Sequence, residues 1–155
     1  MSETGDRRPG GLIPPIYFLI GLVLQVTLHH LIPITSVIGP PRRIAGALFV
    51  AGGILLAVWG NLVFRRLGTP VRPFEPSTAL AQEGPFARTR NPMYLGMVCV
   101  LIGTATALGS LMPWFVVPIF IWLISSLFIA HEEAMLEATF GDAYLEYRRR
   151  VRRWL

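Results

Sequence analysis

Four apolar runs are set along the chain between shorter polar stretches, covering residues 16–32, 44–64, 93–108 and 114–130. The first contains 17 residues and the second 21. At about 1.5 Å per residue both reach across a hydrocarbon core of about 30 Å, the first only just. Lipid offers the backbone no hydrogen-bond partners, so each run is predicted to be a helix. The second run carries small residues at helical spacing, Ala47 with Ala51 and Gly53 with Ala57; such pairs let transmembrane helices approach closely. Only residues 109–113 separate the last two runs, which predicts a tight antiparallel helical hairpin. Pro118 is a candidate kink in the last helix, with neighbours re-satisfying the freed carbonyl.

The polar stretches have their own patterns. Residues 65–90 hold five Arg, two acids and four Pro, and read as an ordered segment rather than a span. Residues 1–11 are polar and carry no periodicity. From His131 onward the chain is charged and helical in pattern, with a break at Phe140-Gly141-Asp142 and a new cap at Asp142. Beyond it Tyr144, Tyr147, Val151 and Trp154 recur at intervals of 3, 4 and 3, opposite Arg148, Arg149, Arg152 and Arg153. A helix of that kind lies on the membrane or covers a pocket, and surface anchoring is the simpler expectation. The fold class that follows is an all-α integral membrane protein: four transmembrane helices plus a C-terminal interfacial helix. One domain over residues 1–155 is expected, with spans near 14–33, 43–64, 92–108 and 113–131.

Composition agrees. Of the 155 residues 53% are hydrophobic and 15% charged, against about a quarter charged in soluble domains. All 14 basic residues are Arg, against nine acids. A net charge of +5 raises nucleic acid as a partner, but the Arg flank apolar runs and suit anionic lipid headgroups better. Their distribution sets an orientation. Arg7, Arg8, Arg65, Arg66, Arg72, Arg88, Arg90, Arg148, Arg149, Arg150, Arg152 and Arg153 fall on one side of a four-span topology, and only Arg42 and Arg43 on the other. By the positive-inside rule both termini are expected in the cytoplasm, with the protein in a bacterial inner membrane. The first run is long and lacks a small-residue cleavage site after it, so no cleavable signal peptide is expected. The single Cys99 excludes an intramolecular disulfide and a multi-cysteine metal site, and reads as a packing residue. His29 and His30 are adjacent on a helix and point in different directions, so they make no chelate; no metal is expected.

The topology brings scarce polar residues to one depth. Asn91 opens the third span and Glu132 closes the fourth, 41 residues later, and a hairpin sets them side by side at the cytoplasmic interface. Asn91 is a good N-cap and Pro92 suits the first helical position. A helix start presents free N–H groups and positive partial charge, a cradle for a carboxylate that Arg88 and Arg90 would reinforce. The plainer alternative is an interfacial helix start with its Arg on lipid phosphates. Glu132 and Glu133, after His131, look like acids at a helix C-terminus, where the macrodipole opposes them; a ligand bearing an ammonium, a sulfonium or ribose hydroxyls would resolve that. A solvated turn with either Glu paired to an Arg of the central segment is the alternative.

Two blocks carry a family resemblance. The first is Gly84-Pro85-Phe86 followed by Arg90-Asn91-Pro92-Met93-Tyr94-Leu95-Gly96. The second is Glu132-Glu133, then Leu136, Phe140-Gly141, Tyr144, Tyr147 and Val151. Together they resemble the isoprenylcysteine carboxyl methyltransferase family and its bacterial relatives, within the wider group that includes phospholipid methyltransferases. Gly68-Thr69-Pro70 and the Pro-rich run to Leu80 are similar to the lead-in of bacterial members. The resemblance implies a methyltransferase acting on a lipophilic acceptor, with S-adenosylmethionine as donor and S-adenosylhomocysteine as product. It places the cofactor half at about residues 68–155. It implies donor contacts from Leu80, Ala81, Phe86, Asn91, Pro92, Met93, Tyr94, Glu132 and Glu133, with Arg90 and Glu132 organising the reaction. Its implied partners are a lipophilic or lipid substrate and membrane lipids, not nucleic acid. Asn91 stands where the eukaryotic pattern has His, which argues against His acid–base catalysis, and Phe128 stands where prenylcysteine enzymes place an Arg. A non-catalytic four-helix lipid-binding or partner-anchoring protein is the competing reading.

Overall fold

The computed structural model describes residues 13–32, 34, 41–68 and 79–155. Arg7, Arg8 and Arg72 of the charge asymmetry, the polar stretch 1–11, and Thr69 and Pro70 of the expected lead-in lie outside them. The described residues are mostly helical, with a single isolated bridge between Thr89 and Arg152 among them. In chain order the helices are α1 (Pro14–Leu31), α2 (Arg42–Arg66), α3 (Pro92–Leu108), α4 (Val116–Ile124), α5 (Ala130–Phe140) and α6 (Asp142–Arg150). A 3-10 turn at Met112–Phe115 and a π turn at Ser125–Ile129 join onto α4 and α5, giving one continuous helix, Met112–Phe140, of 29 residues. That helix, α1 and α2 are long and apolar enough to cross a membrane; α3 is a shorter apolar helix. The chain is an integral membrane protein.

α2 and α3 pack antiparallel through glycines. Gly46, Gly53 and Gly60 are buried on α2, and Gly96 and Gly103 on α3. A spacing of seven is close to two turns, so these residues keep one face. A Cβ added to Gly53 would lie 2.5 Å from the Gly96 carbonyl oxygen, and one on Gly46 would lie 2.6 Å from that of Gly103. The two backbones therefore touch, with Gly60 over Pro92 and Met93 at the end that carries the polar loop. This corrects one expected contact. Gly53 and Ala57 are in the interface, but Ala47 and Ala51 are exposed. The working period is seven, not four.

α1 packs on the core through Tyr17, Phe18 and Leu22 and is tied further along by one polar side chain. Gln25 is fully buried, and its Nε2 donates to the carbonyls of Leu101 on α3 (3.0 Å) and Pro113 (3.2 Å). An amide among apolar helices is costly unless it finds carbonyls. His29 Nδ1 lies 2.8 Å from Ser110 Oγ, one turn further along. Interhelical bonds in lipid average about 0.6 kcal/mol and reach about 1.7 kcal/mol. Gln25→Leu, which keeps the volume, is therefore expected to destabilise by about 1 kcal/mol in a detergent unfolding titration. Gln25→Ala adds a cavity and is expected to cost about twice that or more.

The main core runs between α3 and α4. Tyr94, Val98 and Leu101 face Val117, Phe120, Ile124, Phe128 and Ile129, with Tyr17 and Phe18 of α1 closing one side. The π turn matters for phase. One extra residue in a helical turn rotates everything after it by about 100°, and the rotation falls just before Glu132 and Glu133.

Candidate functional site

The chain enters α3 through a 3-10 turn, Gly84–Ala87. Phe86 is buried there, its ring 4.9 Å from that of Phe64, beside Val63 and Ala81. The Tyr147 hydroxyl donates to the Phe86 carbonyl at 2.8 Å, tying this turn to α6. Thr89 is buried and its Oγ1 accepts from the Asn91 backbone N–H at 3.2 Å. Pro92 takes the first helical position, as its fixed φ and missing N–H favour. Asn91 departs from expectation. It occupies the N-cap position, but its side chain makes no capping bond. Its Nδ2 instead donates to the Arg153 carbonyl at 3.0 Å. The start of α3 thus has no side-chain cap.

Glu132 and Glu133 are also placed differently from expectation. They lie in the first turn of α5, inside a helix that continues to Phe140, so no C-terminal dipole opposes them. The two acids face different neighbours. Glu132 Oε1 accepts from the Tyr94 hydroxyl at 2.7 Å. Glu133 is met by two guanidinium groups, Arg90 Nη1 at 3.1 Å and Arg153 Nε at 3.0 Å. Arg90 Nη1 also donates to the Tyr144 hydroxyl at 3.0 Å, while Arg90 Nε is buried without a partner. Burial pushes the Tyr144 and Tyr147 phenols up, so both stay neutral at physiological pH. The bond to Glu133 raises Arg153, which stays charged.

Arg90, Asn91, Pro92, Tyr94, Glu132 and Glu133 therefore form one cluster where α3 begins and α5 begins. Met93 is half-buried beside them, against Gly60. Phe86 and Ala81 belong to the adjoining cluster with Val63, and Leu80 packs on Tyr144, Tyr147 and Val151. Arg88, by contrast, is exposed and joins no cluster.

The tail gives the largest departure. α6 stops at Arg150, so Val151 and Trp154 are not on a helix. The N-cap position is Gly141, at φ +51°, and Asp142 is the first helical residue. Tyr144 and Tyr147 do share a face, but it is buried against Leu80, Leu136 and Phe140 rather than presented to lipid. Residues 151–155 then continue without helix, bent at Val151 and Arg153, and bond to residues 89–91 before α3, with Trp154 packed on the main core. Thr89 and Arg153, both missed as site residues, meet here: Thr89 Oγ1 donates to the Arg153 carbonyl at 3.2 Å. The signal was Trp154 itself, an apolar ring that an exposed tail would not favour.

A family model described as phospholipid methyltransferase matches residues 41–143. Among curated proteins, an uncharacterized protein of Haemophilus influenzae is 44% identical over 63 residues, 41% of this chain and 100% of that protein. Protein-S-isoprenylcysteine O-methyltransferase of Schizosaccharomyces pombe is 35% identical over 72 residues, covering 46% of this chain and 30% of the enzyme. The shared stretch is thus less than a third of that enzyme's length. No solved structure matches.

Proposed function

The chain belongs to the phospholipid methyltransferase family, and on that premise we propose that it transfers a methyl group from S-adenosylmethionine to a lipophilic acceptor at the cytoplasmic membrane face. In this reading α3, with 17 residues, crosses the bilayer as a fourth span. The Arg asymmetry supports a topology with both termini in the cytoplasm, in a bacterial inner membrane.

The contrast between the two acids carries the reading. Glu133 is matched by Arg90 and Arg153, whereas Glu132 is held by a neutral phenol. Glu132 is therefore the acid suited to a cationic or hydroxylated ligand. Beside it the uncapped start of α3 and the unpartnered Arg90 Nε suit a carboxylate. Together these match the two charged ends of an amino-acid moiety. S-adenosylmethionine supplies an electrophilic methyl on sulfonium, and transfer leaves S-adenosylhomocysteine. Pro92, Met93 and Tyr94, with Asn91, would line the donor, flanked by Phe86, Ala81 and Leu80. Glu133 takes part by fixing Arg90. Rate comes from aligning the methyl with a lipid-dissolved nucleophile and from excluding water.

The test is incubation of purified protein with labelled donor and a total membrane lipid extract. Label is expected in a lipid fraction, and mass analysis names the acceptor. Absence of donor binding at millimolar concentration would overturn the reading in favour of a non-catalytic lipid-binding module.

A further inference from the structure

We propose that residues 151–155 are a latch over this site, which opens at Arg153 to admit the donor and closes on Glu133 behind it. The inference rests on the donor reading above and concerns how the donor enters.

One segment bonds several polar groups around the start of α3, although Glu132 and Arg90 Nε are not among them. The Arg152 carbonyl accepts from the Arg90 N–H at 3.0 Å. The Arg153 carbonyl accepts from Asn91 Nδ2 at 3.0 Å and Thr89 Oγ1 at 3.2 Å, and the Arg153 guanidinium lies on Glu133. Asn91 and Glu133 are each only 9% exposed beneath it. A donor that takes up Asn91 or Glu133 must therefore exchange bonds with this segment. The segment has no internal helix, and three hydrogen bonds to residues 89–91 and the half-buried Trp154 hold it beside its contact with Glu133.

Its attachments are graded. The α6 side is firm, with Tyr144 and Tyr147 fully packed and the Val151 N–H bonded to the Tyr147 carbonyl. The Arg90–Glu133 pair is also firm, at 10% and 12% side-chain exposure. Arg153 is 41% exposed, so water competes for its contact with Glu133. Opening thus starts at Arg153, lifts the half-buried Trp154 from the main core and hinges at the end of α6, and it leaves Arg90 and Glu133 in place.

Arg88 and Arg152 are both exposed and adjoin the Thr89–Arg152 bridge, so they can tie the latch shut. The full-length chain carrying Cys99→Ala, Arg88→Cys and Arg152→Cys is treated with a short bis-maleimide or with a mono-maleimide control. Association of labelled S-adenosylmethionine is then timed. Cross-linked protein is expected to associate at least tenfold more slowly than the control. Equal rates would overturn the latch while leaving the donor reading intact. No binding by either form or by wild type would overturn the donor reading, and the latch with it. Should the cross-linked protein lose its fold, Arg153→Gln decides instead: donor release several-fold faster than wild type supports the latch, and an unchanged release rate overturns it.

Discussion

Glu132→Gln is expected to lower S-adenosylmethionine affinity by about 10-fold to 100-fold while leaving the fold intact. A hydrogen bond to a charged group is worth about 1.5–3 kcal/mol, and about 1.4 kcal/mol is a factor of ten. The amide keeps the size of the side chain and an oxygen for the Tyr94 hydroxyl, so unfolding free energy should stay within about 1 kcal/mol of wild type. Glu133→Gln is expected to behave in the opposite way. It leaves the Arg90 charge buried without its counter-charge, and breaking buried ion pairs costs about 3–5 kcal/mol. The exposed Arg153 arm discounts that to about 2–3 kcal/mol. Donor titration and detergent unfolding on both variants check the pair. Equal donor affinity in Glu132→Gln and wild type would remove Glu132 from the site.

The second large effect falls on the fold. Gly53→Val is expected to destabilise by about 3 kcal/mol, because its Cβ would meet the Gly96 carbonyl oxygen at 2.5 Å and a helix backbone cannot step aside. The neighbouring Gly52 has nothing within 4 Å of the same addition. Gly52→Val should therefore stay within about 0.5 kcal/mol. The comparison holds residue type, helix and depth constant. Similar midpoints for the two variants in an unfolding titration would show that α2 and α3 do not meet through their glycines. Methyl transfer should fall with Gly53→Val, since Gly60 of the same face sits over Pro92 and Met93 at the site.

Much of the architecture is legible in the sequence because the bilayer leaves few choices. Apolar runs of this length must be helical, and Pro92 after a polar segment marks the start of α3. The meeting of residues 91–94 with Glu132 follows from a short link between two antiparallel helices. What stays hidden depends on angles and on distant partners. The acids look terminal in sequence because the apolar run ends there, yet the helix continues for two more turns to Phe140. Asn91 looks like a cap because capping is its local habit, but the Arg153 carbonyl, 62 residues away, wins its amide. Tyr144, Tyr147, Val151 and Trp154 look like one helical face because the spacing cannot reveal that α6 stops at Arg150.

An all-helical membrane protein with its polar residues gathered at one end is already written in the chain, since backbone satisfaction in lipid and the hairpin link impose both. The three-dimensional packing sets which acid meets two guanidinium groups and which meets a phenol. That choice depends on the π turn, which sets the phase of Glu132 and Glu133, and on the non-helical tail, which brings Arg153 to one of them.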